Sequence, residues 1–259
     1  MPRRSTRERR HDQDIRMSDE IPLFKINPGL DRAALAATFA RDRRVQIRNF
    51  LTADAAATIH DVLSQQTPWG LAWNDGNSQT DISPADLAKL SPQQRGTMGQ
   101  SIAQRVRTRG YGFSYQRYPM VTAYANNWDP EGPLHLLVEH INDAPLMDLV
   151  REVTAMPDLV KADAQATLFG PGQFLGLHHD AHVAEGWRIA YVMNFTQDWH
   201  EDWGGYLNFY DDDGDIITGF RPRFNALNMF AVPQRHNVSF VPSWSPVGRY
   251  AITGWFRDR

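Results

Sequence analysis

From about residue 163 onward the chain breaks into eight short runs of alternating apolar and polar residues: "DAQATLFG", "QFLGLHH", "WRIAYVMNFT", "GYLNFY", "DIITGF", "ALNMFAV", "HNVSFV" and "RYAITGWF". Turn-forming residues separate them. A period of two sends successive side chains to opposite faces of a sheet, and runs this short are strands rather than helices. Regularly spaced strands with turn signals between them predict an antiparallel sandwich or barrel. The tract "DDDGD" (211–215) is expected to be a hairpin turn. It fails as a calcium loop because Phe209 and Phe220 would occupy the first and twelfth coordinating positions.

The preceding half has a different texture. "GLDRAALAATFARD" reads as a helix capped by Asp31, "RRVQIRNFL" alternates like a strand, and Thr52 is placed to cap "ADAAATIHDVLSQQ". "NDGNSQTDISPADLAKLSPQQRG" is polar and Pro/Gly-punctuated, and is expected to be a long loop with a helical turn in it. "YGFSYQRYPM" suggests a strand or a lid, and "APLMDLVREVTA" a short amphipathic helix. The expected fold class is α+β. A single domain over 21–259 has helical support over 29–160 and a β core over 161–257, preceded by a basic arm over 1–20.

Composition narrows the chemistry. The chain has 259 residues, a formal net charge of -3 and no cysteine. Disulfides, thiolate nucleophiles and Cys-based zinc sites are all excluded, so a metal would have to be held by His and carboxylate. No apolar run reaches membrane-span length, and the cytoplasm is the default expectation. Residues 1–16 carry six Arg against Glu8, Asp12 and Asp14, a charge of +3, which leaves -6 on the rest. A mildly acidic body argues against a nucleic-acid partner, the arm "RRSTRERRH" excepted. That arm has the composition of a disordered tail. Met17, followed by "SDEIPLF", is a second candidate start.

The stretch "GQFLGLHHDAH" (172–182) concentrates three His and one Asp. Two His and one carboxylate can hold a metal on one face and leave its other positions open. Strand alternation puts Phe174, Gly176, His178 and Asp180 on one face and Leu177 and His179 on the other. His178 and Asp180 are therefore the expected pair, and His182 is read as solvent-facing. A second H-x-D, His200 and Asp202, falls in a polar turn. A jelly roll that closes such a site has four strands between the pair and a distal His. Four runs separate Asp180 from His236, so His236 is the expected third ligand; His11, His60, His135 and His140 all precede the barrel. Arg249 opens the last run, where a guanidinium directed into the barrel requires an anion to meet it. It is the expected anchor for a carboxylate cosubstrate.

Together "HHD" (178–180), "RIAYVMNFTQDW" (188–199), "GGYLNFY" (204–210), "FRPRFNALNMFAVPQRH" (220–236) and "RYAITGWF" (249–256) resemble the prolyl hydroxylase branch of the 2-oxoglutarate/Fe(II) dioxygenases, both its ribosomal-protein and its hypoxia-sensing members. The resemblance covers about 160–256. It implies a double-stranded β-helix, or jelly roll, with supporting N-terminal helices, and Fe(II) held by His178, Asp180 and His236. It also implies 2-oxoglutarate held by Arg249 with Thr253 nearby, Leu207 packed against the cosubstrate and Trp255 flooring the pocket. Asn194 stands where family members often carry a cosubstrate-binding Tyr. Tyr191 lies on the opposite face, and Phe169 stands where a pocket Tyr is expected. The implied reaction consumes O2 and 2-oxoglutarate, gives succinate and CO2, and hydroxylates a prolyl residue of a protein, with ascorbate as a supporting reductant.

Three alternatives stay open at this level. One is hydroxylation of a free amino acid or other small metabolite. Segment 110–128 would then form a closed lid rather than a peptide groove; a mobile 74–95 loop would favour a peptide. A second is a cupin-like metal enzyme, against which Asp180 stands in place of that motif's second His. The third is a non-catalytic sensor of 2-oxoglutarate or metal.

Overall fold

The computed structural model describes residues 23–76, 79–180 and 183–259. The basic arm and His182 lie outside the described residues. All eight strands expected after residue 163 are present: β6 (Gln165–Phe169), β7 (Phe174–His178), β8 (Trp187–Asn194), β9 (Leu207–Tyr210), β10 (Ile216–Phe220), β11 (Ala226–Ala231), β12 (His236–Val238) and β13 (Arg249–Arg257). "DDDGD" is the β9–β10 turn, closed by the Asp211 N–H donating to Asp215 O at 3.1 Å. A two-residue strand, β5 (Lys161–Ala162), pairs with the end of β13.

The first half contributes strands as well as helices: β1 (Arg44–Arg48), β2 (Gly70–Asn74), β3 (Gln79–Ile82) and β4 (Phe113–Tyr118). All strands join one antiparallel sheet, whose main path runs β1-β11-β8-β13-β6-β4-β7-β12-β9-β10. Two four-stranded layers are visible in it, β11-β8-β13-β6 and β7-β12-β9-β10, which is the jelly roll. β4 bridges them, pairing Gln116 with Leu168 of β6 and Phe113 with Leu175 of β7. The barrel is thus sealed along one side, and β1 and β10 end the path on the other.

Alternation on β8 separates two cores. Ile189, Tyr191 and Met193 join Ile252 and Phe256 of β13 in packing against the helices α6 (Pro133–Asn142) and α7 (Ala144–Thr154), through Leu137, Ile141, Leu149 and Val153. Ala190 and Val192 face the barrel with Leu207, Phe209, Phe230 and Ala251. The helix α1 (Arg32–Asp42) starts at Asp31, whose carboxylate accepts from the Ala34 N–H at 3.0 Å. The helix α2 (Ala53–Asp61) begins after Thr52, but that side chain makes no capping hydrogen bond.

The expected long loop after residue 74 is a correction. The structure has the β2–β3 hairpin and two helices, α3 (Pro84–Lys89) and α4 (Pro92–Arg107). Both helices start at a Ser-Pro pair. Ser83 and Ser91 cap backbone N–H groups, and Gln94 returns the bond to Ser91 at 2.8 Å to complete a capping box. The prolines are helix starters here, not breakers. The segment read as a strand or lid is strand β4, followed by the short helix α5 (Met120–Ala125). Among the described residues no helix is long and apolar enough to cross a membrane.

Ile252 is fully buried where β13 meets the helices. Its replacement by Ala is expected to cost about 2–5 kcal/mol through lost burial and a residual cavity. A lower urea midpoint at unchanged slope is the expected readout; an unshifted midpoint would mean that this layer is not the core.

Candidate metal and cosubstrate site

His178 ends β7 and His236 opens β12, and the two are direct cross-strand partners. Their ring centroids are 4.2 Å apart. Asp180, two residues on, brings one carboxylate oxygen to 3.4 Å from His178 Nε2 and the other to 3.5 Å from His236 Nε2. The three side chains offer ligand atoms that all lie within 4.8 Å of one another. This is the cluster expected from sequence. His179 is exposed at the rim of the same cavity and is not part of the cluster. The rival His200 and Asp202 are 57% and 84% exposed and form no three-residue cluster among the described residues.

Tautomers follow from the hydrogen bonds. His178 Nδ1 lies 2.9 Å from Gly176 O, and His236 Nδ1 lies 2.8 Å from Gln234 O. A carbonyl can only accept, so both Nδ1 atoms carry a proton and both Nε2 atoms face Asp180. Such outer bonds fix the orientation of metal-binding imidazoles. Burial, with His178 adding to it, pushes the His236 imidazole down to about 4 and keeps it neutral at ordinary pH. Burial alone would raise the Asp180 carboxyl, but the imidazoles of His178 and His236 outweigh it and hold it below its usual range.

The strand carrying His178 departs from simple alternation. His236 pairs with His178 and Val238 with Leu175, so β7 spends one residue more than β12 between these pairs. This bulge puts Leu175, not Phe174, on the inner face with His178, while Phe174 turns outward to Phe240. Gly176 lies in the bulge. A Cβ there would fall 2.6 Å from Gly112 O, so the close approach of the chain before β4 requires glycine.

The cluster stands in a cavity of about 350 Å³, also lined by Leu207, Thr253, Trp255 and Arg249. Arg249 is 1% exposed. No carboxylate lies within ion-pair distance of it among the described residues. Its Nη2 donates to Asn194 Oδ1 at 3.3 Å, its Nε has no partner, and its guanidinium lies 5.3 Å from the centre of the Phe169 ring. Desolvation lowers it to about 10, still charged at neutral pH. A buried, unmatched guanidinium is costly unless an anion joins it. Gly205, at φ 66°, lets it fit: a Cβ there would meet Trp199 at 2.9 Å and Arg249 at 3.3 Å.

Asn194 does not face the cavity. It lies behind Arg249, and its amide N–H group donates to Ala226 O at 3.3 Å and to Val192 O at 3.4 Å. Tyr191 points to the helices, where its hydroxyl donates to Asp163 O at 2.7 Å. The hydroxyl that reasoning from sequence missed is Tyr115 of β4. It stacks on Phe169 with centroids 4.9 Å apart and lines the cavity with Gln165, whose amide donates to Thr253 Oγ1 at 3.3 Å. Tyr111, 5.7 Å from the His178 ring, and Trp187, stacked at 3.9 Å on Trp255, line it too. The aromatic alternation of "YGFSYQ" was the available signal, but it could not show that β4 inserts between β6 and β7.

Two His and one carboxylate on one face, with a buried guanidinium in the same cavity, make a donor set of the kind non-haem Fe(II) oxygenases use. Residues 164–257 match the model of the 2OG-Fe(II) oxygenase superfamily. Over these residues the chain is similar to that superfamily, whose dioxygenases use Fe(II), 2-oxoglutarate and O2. A curated relative, the prolyl 3-hydroxylase OGFOD1 of Mus musculus, is 37% identical over 87 residues, which span 31% of this chain and 16% of that protein. The fold is shared with a Pseudomonas putida prolyl-4-hydroxylase, at a TM-score of 0.56 and 18% identity over 88% of this chain and 99% of that one. It is also shared with SnoN, a non-haem α-ketoglutarate-dependent epimerase of nogalamycin biosynthesis, at 0.52 and 12% over 88% and 83%.

His236 gives a pH test. In the metal-free protein it stays neutral down to about pH 4, whereas its ordinary value is 6.5. Between these values the unfolded chain binds more protons, so its contribution is complete above 6.5 and is lost as pH falls towards 4. His236→Leu is expected to lose less stability than wild type across that window in urea unfolding. Parallel pH profiles would show that His236 is not buried neutral.

Proposed function

We propose that the protein is an Fe(II)- and 2-oxoglutarate-dependent hydroxylase of a prolyl residue in a protein substrate, giving succinate and CO2. Its catalytic unit is a single domain over residues 21–259. The observation that carries the chemistry is the unmatched Arg249 in the same cavity as His178, Asp180 and His236. The prolyl substrate is supported by the relationship to OGFOD1, whose match covers a small part of that protein.

In this reading His178, Asp180 and His236 hold Fe(II) through Nε2, carboxylate and Nε2. The bound metal and 2-oxoglutarate supply the O2-activating chemistry that oxidises a substrate C–H bond. The protein's own residues bind, orient and exclude water. Arg249 takes the far carboxylate of 2-oxoglutarate as its missing counter-ion, and Asn194 holds the guanidinium in place. Thr253, Gln165 and Tyr115 offer hydrogen bonds along the cosubstrate, while Leu207 and Phe169 keep its carbon chain dry. Trp187 and Trp255 form a flat apolar wall that a pyrrolidine ring can lie against. SnoN, an epimerase, has the same fold, and the small-molecule reading stays second.

Anaerobic addition of Fe(II) and 2-oxoglutarate is expected to produce a visible metal-to-ligand charge-transfer band. His178→Ala should abolish it, and Arg249→Ala should raise the 2-oxoglutarate needed for half-saturation by about 30-fold or more, since truncating one partner of a buried charge pair costs about 2–5 kcal/mol. Metal binding without a band in wild type would sink the proposal. Asn194→Ala is expected to raise the 2-oxoglutarate requirement by about tenfold through a loosened Arg249, the effect of one hydrogen bond to a charged group. Iron affinity should stay unchanged. An unaltered requirement would remove Asn194 from the site.

A further inference from the structure

β4 seals the barrel on one side only. On the other side the sheet ends at β1 and β10, and among the described residues no strand pairs with the outer edge of either. The seam between them is a groove made of two adjoining hollows, about 720 and 600 Å³ in volume, which share Asp42 and Arg44. One opens beside His179, next to the metal cluster. The other ends at Arg221 and Arg223.

Guanidinium groups dominate this groove. Arg44 and Arg48 share one face of β1, about 13 Å apart at the rise of an extended strand. Arg221 is paired with Glu201, and Arg44 donates to Gln234 and lies 5.1 Å from the centre of the Phe209 ring. Arg48 and Arg223 have no ion-pair partner among the described residues. Burial, then the guanidiniums of Arg48 and Arg221, push Arg223 below its usual range, a sign of gathered and uncompensated positive charge. The chain as a whole carries -3, so this is not the by-product of a generally basic surface. β10 adds apolar side chains on its unpaired edge, with Ile216 57% and Ile217 50% exposed. Proteins ordinarily blunt such an edge.

An open strand edge with arginines at strand spacing fits an extended peptide that adds as a strand. A nucleic acid fits less well. The β9–β10 turn sets Asp211, Asp212, Asp213 and Asp215 at one end of the seam, against a continuous phosphate backbone. A peptide can confine its carboxylates to the positions opposite the arginines.

We propose that the β1–β10 seam binds an extended polypeptide with acidic residues at alternate positions, which pairs with the edge of β10 and meets Arg44, Arg48 and Arg223. In one respect this rests on the hydroxylase reading: the peptide is then the flank of the substrate, led by the groove towards His179 and the metal cluster.

The test is fluorescence anisotropy on the full chain with three labelled probes: a peptide alternating Glu and Thr, the same peptide with Gln for Glu, and a single-stranded RNA. The proteins are wild type, Arg48→Glu/Arg223→Glu, the milder Arg48→Gln/Arg223→Gln in case charge reversal disturbs folding, and Arg107→Glu as a distant control. Wild type should bind the Glu peptide about tenfold or more tightly than the Gln peptide, with affinity falling as salt rises. Both double variants should lose that preference and the control should keep it. No binding, equal affinity for the two peptides, unchanged double variants, or tighter binding of RNA would each overturn the proposal. The iron/2-oxoglutarate band, read on the same preparations, separates the two readings. Acidic-peptide binding without a band leaves the seam standing and removes the hydroxylase; a band without peptide preference does the reverse.

Discussion

The register that sets His178 opposite His236 is the constraint on which the rest of the site depends. Adjacent strands lie about 4.8 Å apart, so a direct cross-strand pair is one of the few ways to bring two imidazoles from distant parts of a chain within reach of one ion. A shift by one residue would turn one ring out of the barrel. The bulge in β7 supplies the correction that aims His178 inward, and Gly176 permits it because Gly112 O occupies the space of a side chain. The metal-binding face is therefore tied to the docking of β4, which brings Gly112 there. Backbone carbonyls of Gly176 and Gln234 then choose the tautomers, so the same two strand ends supply both the ligands and their orientation.

Arg249 is the second fixed point. A guanidinium that is 1% exposed and has no carboxylate partner among the described residues is an expensive thing to bury. Its surroundings keep it charged and directed at the cavity: Asn194 from behind, the Phe169 ring on one side and the glycine at 205 against its stem. The site is thus a negative and neutral metal face at one end and a positive socket at the other, with apolar walls between them. That polarity matches a small dianion bound end to end. It also explains why the helices matter although they supply no ligand, since they bury the outer face of β8 and β13 and so fix the strands that carry the socket.

Much of this was legible in the chain. The period of two after residue 163 gave eight strands, and their count between Asp180 and His236 selected the distal histidine from among nine. Charge logic alone marked Arg249. What was misread has local causes. Ser83-Pro84 and Ser91-Pro92 read as loop punctuation in the sequence, yet a Ser cap with Pro in the first turn starts a helix. Phe174 was placed on the inner face because alternation cannot announce a bulge. Asn194 stands where the resemblance has a cosubstrate-binding Tyr, and its side-chain oxygen accepts from Arg249.

By itself, the sequence determined which two His and one Asp could gather into a metal-sized cluster, the class of fold and the turning of Arg249 into the barrel. These follow from periodicity, residue chemistry and order along the chain, all of which are one-dimensional properties. Only the tertiary structure decided that β4 from the helical half closes the barrel, that Tyr115 and Gln165 come with it into the cavity, and that arginines from β1 and from the chain after β10 meet along an open seam. Those pairings join segments far apart in sequence. No local propensity encodes them, because they are fixed by which apolar faces are left uncovered once the sheet has formed.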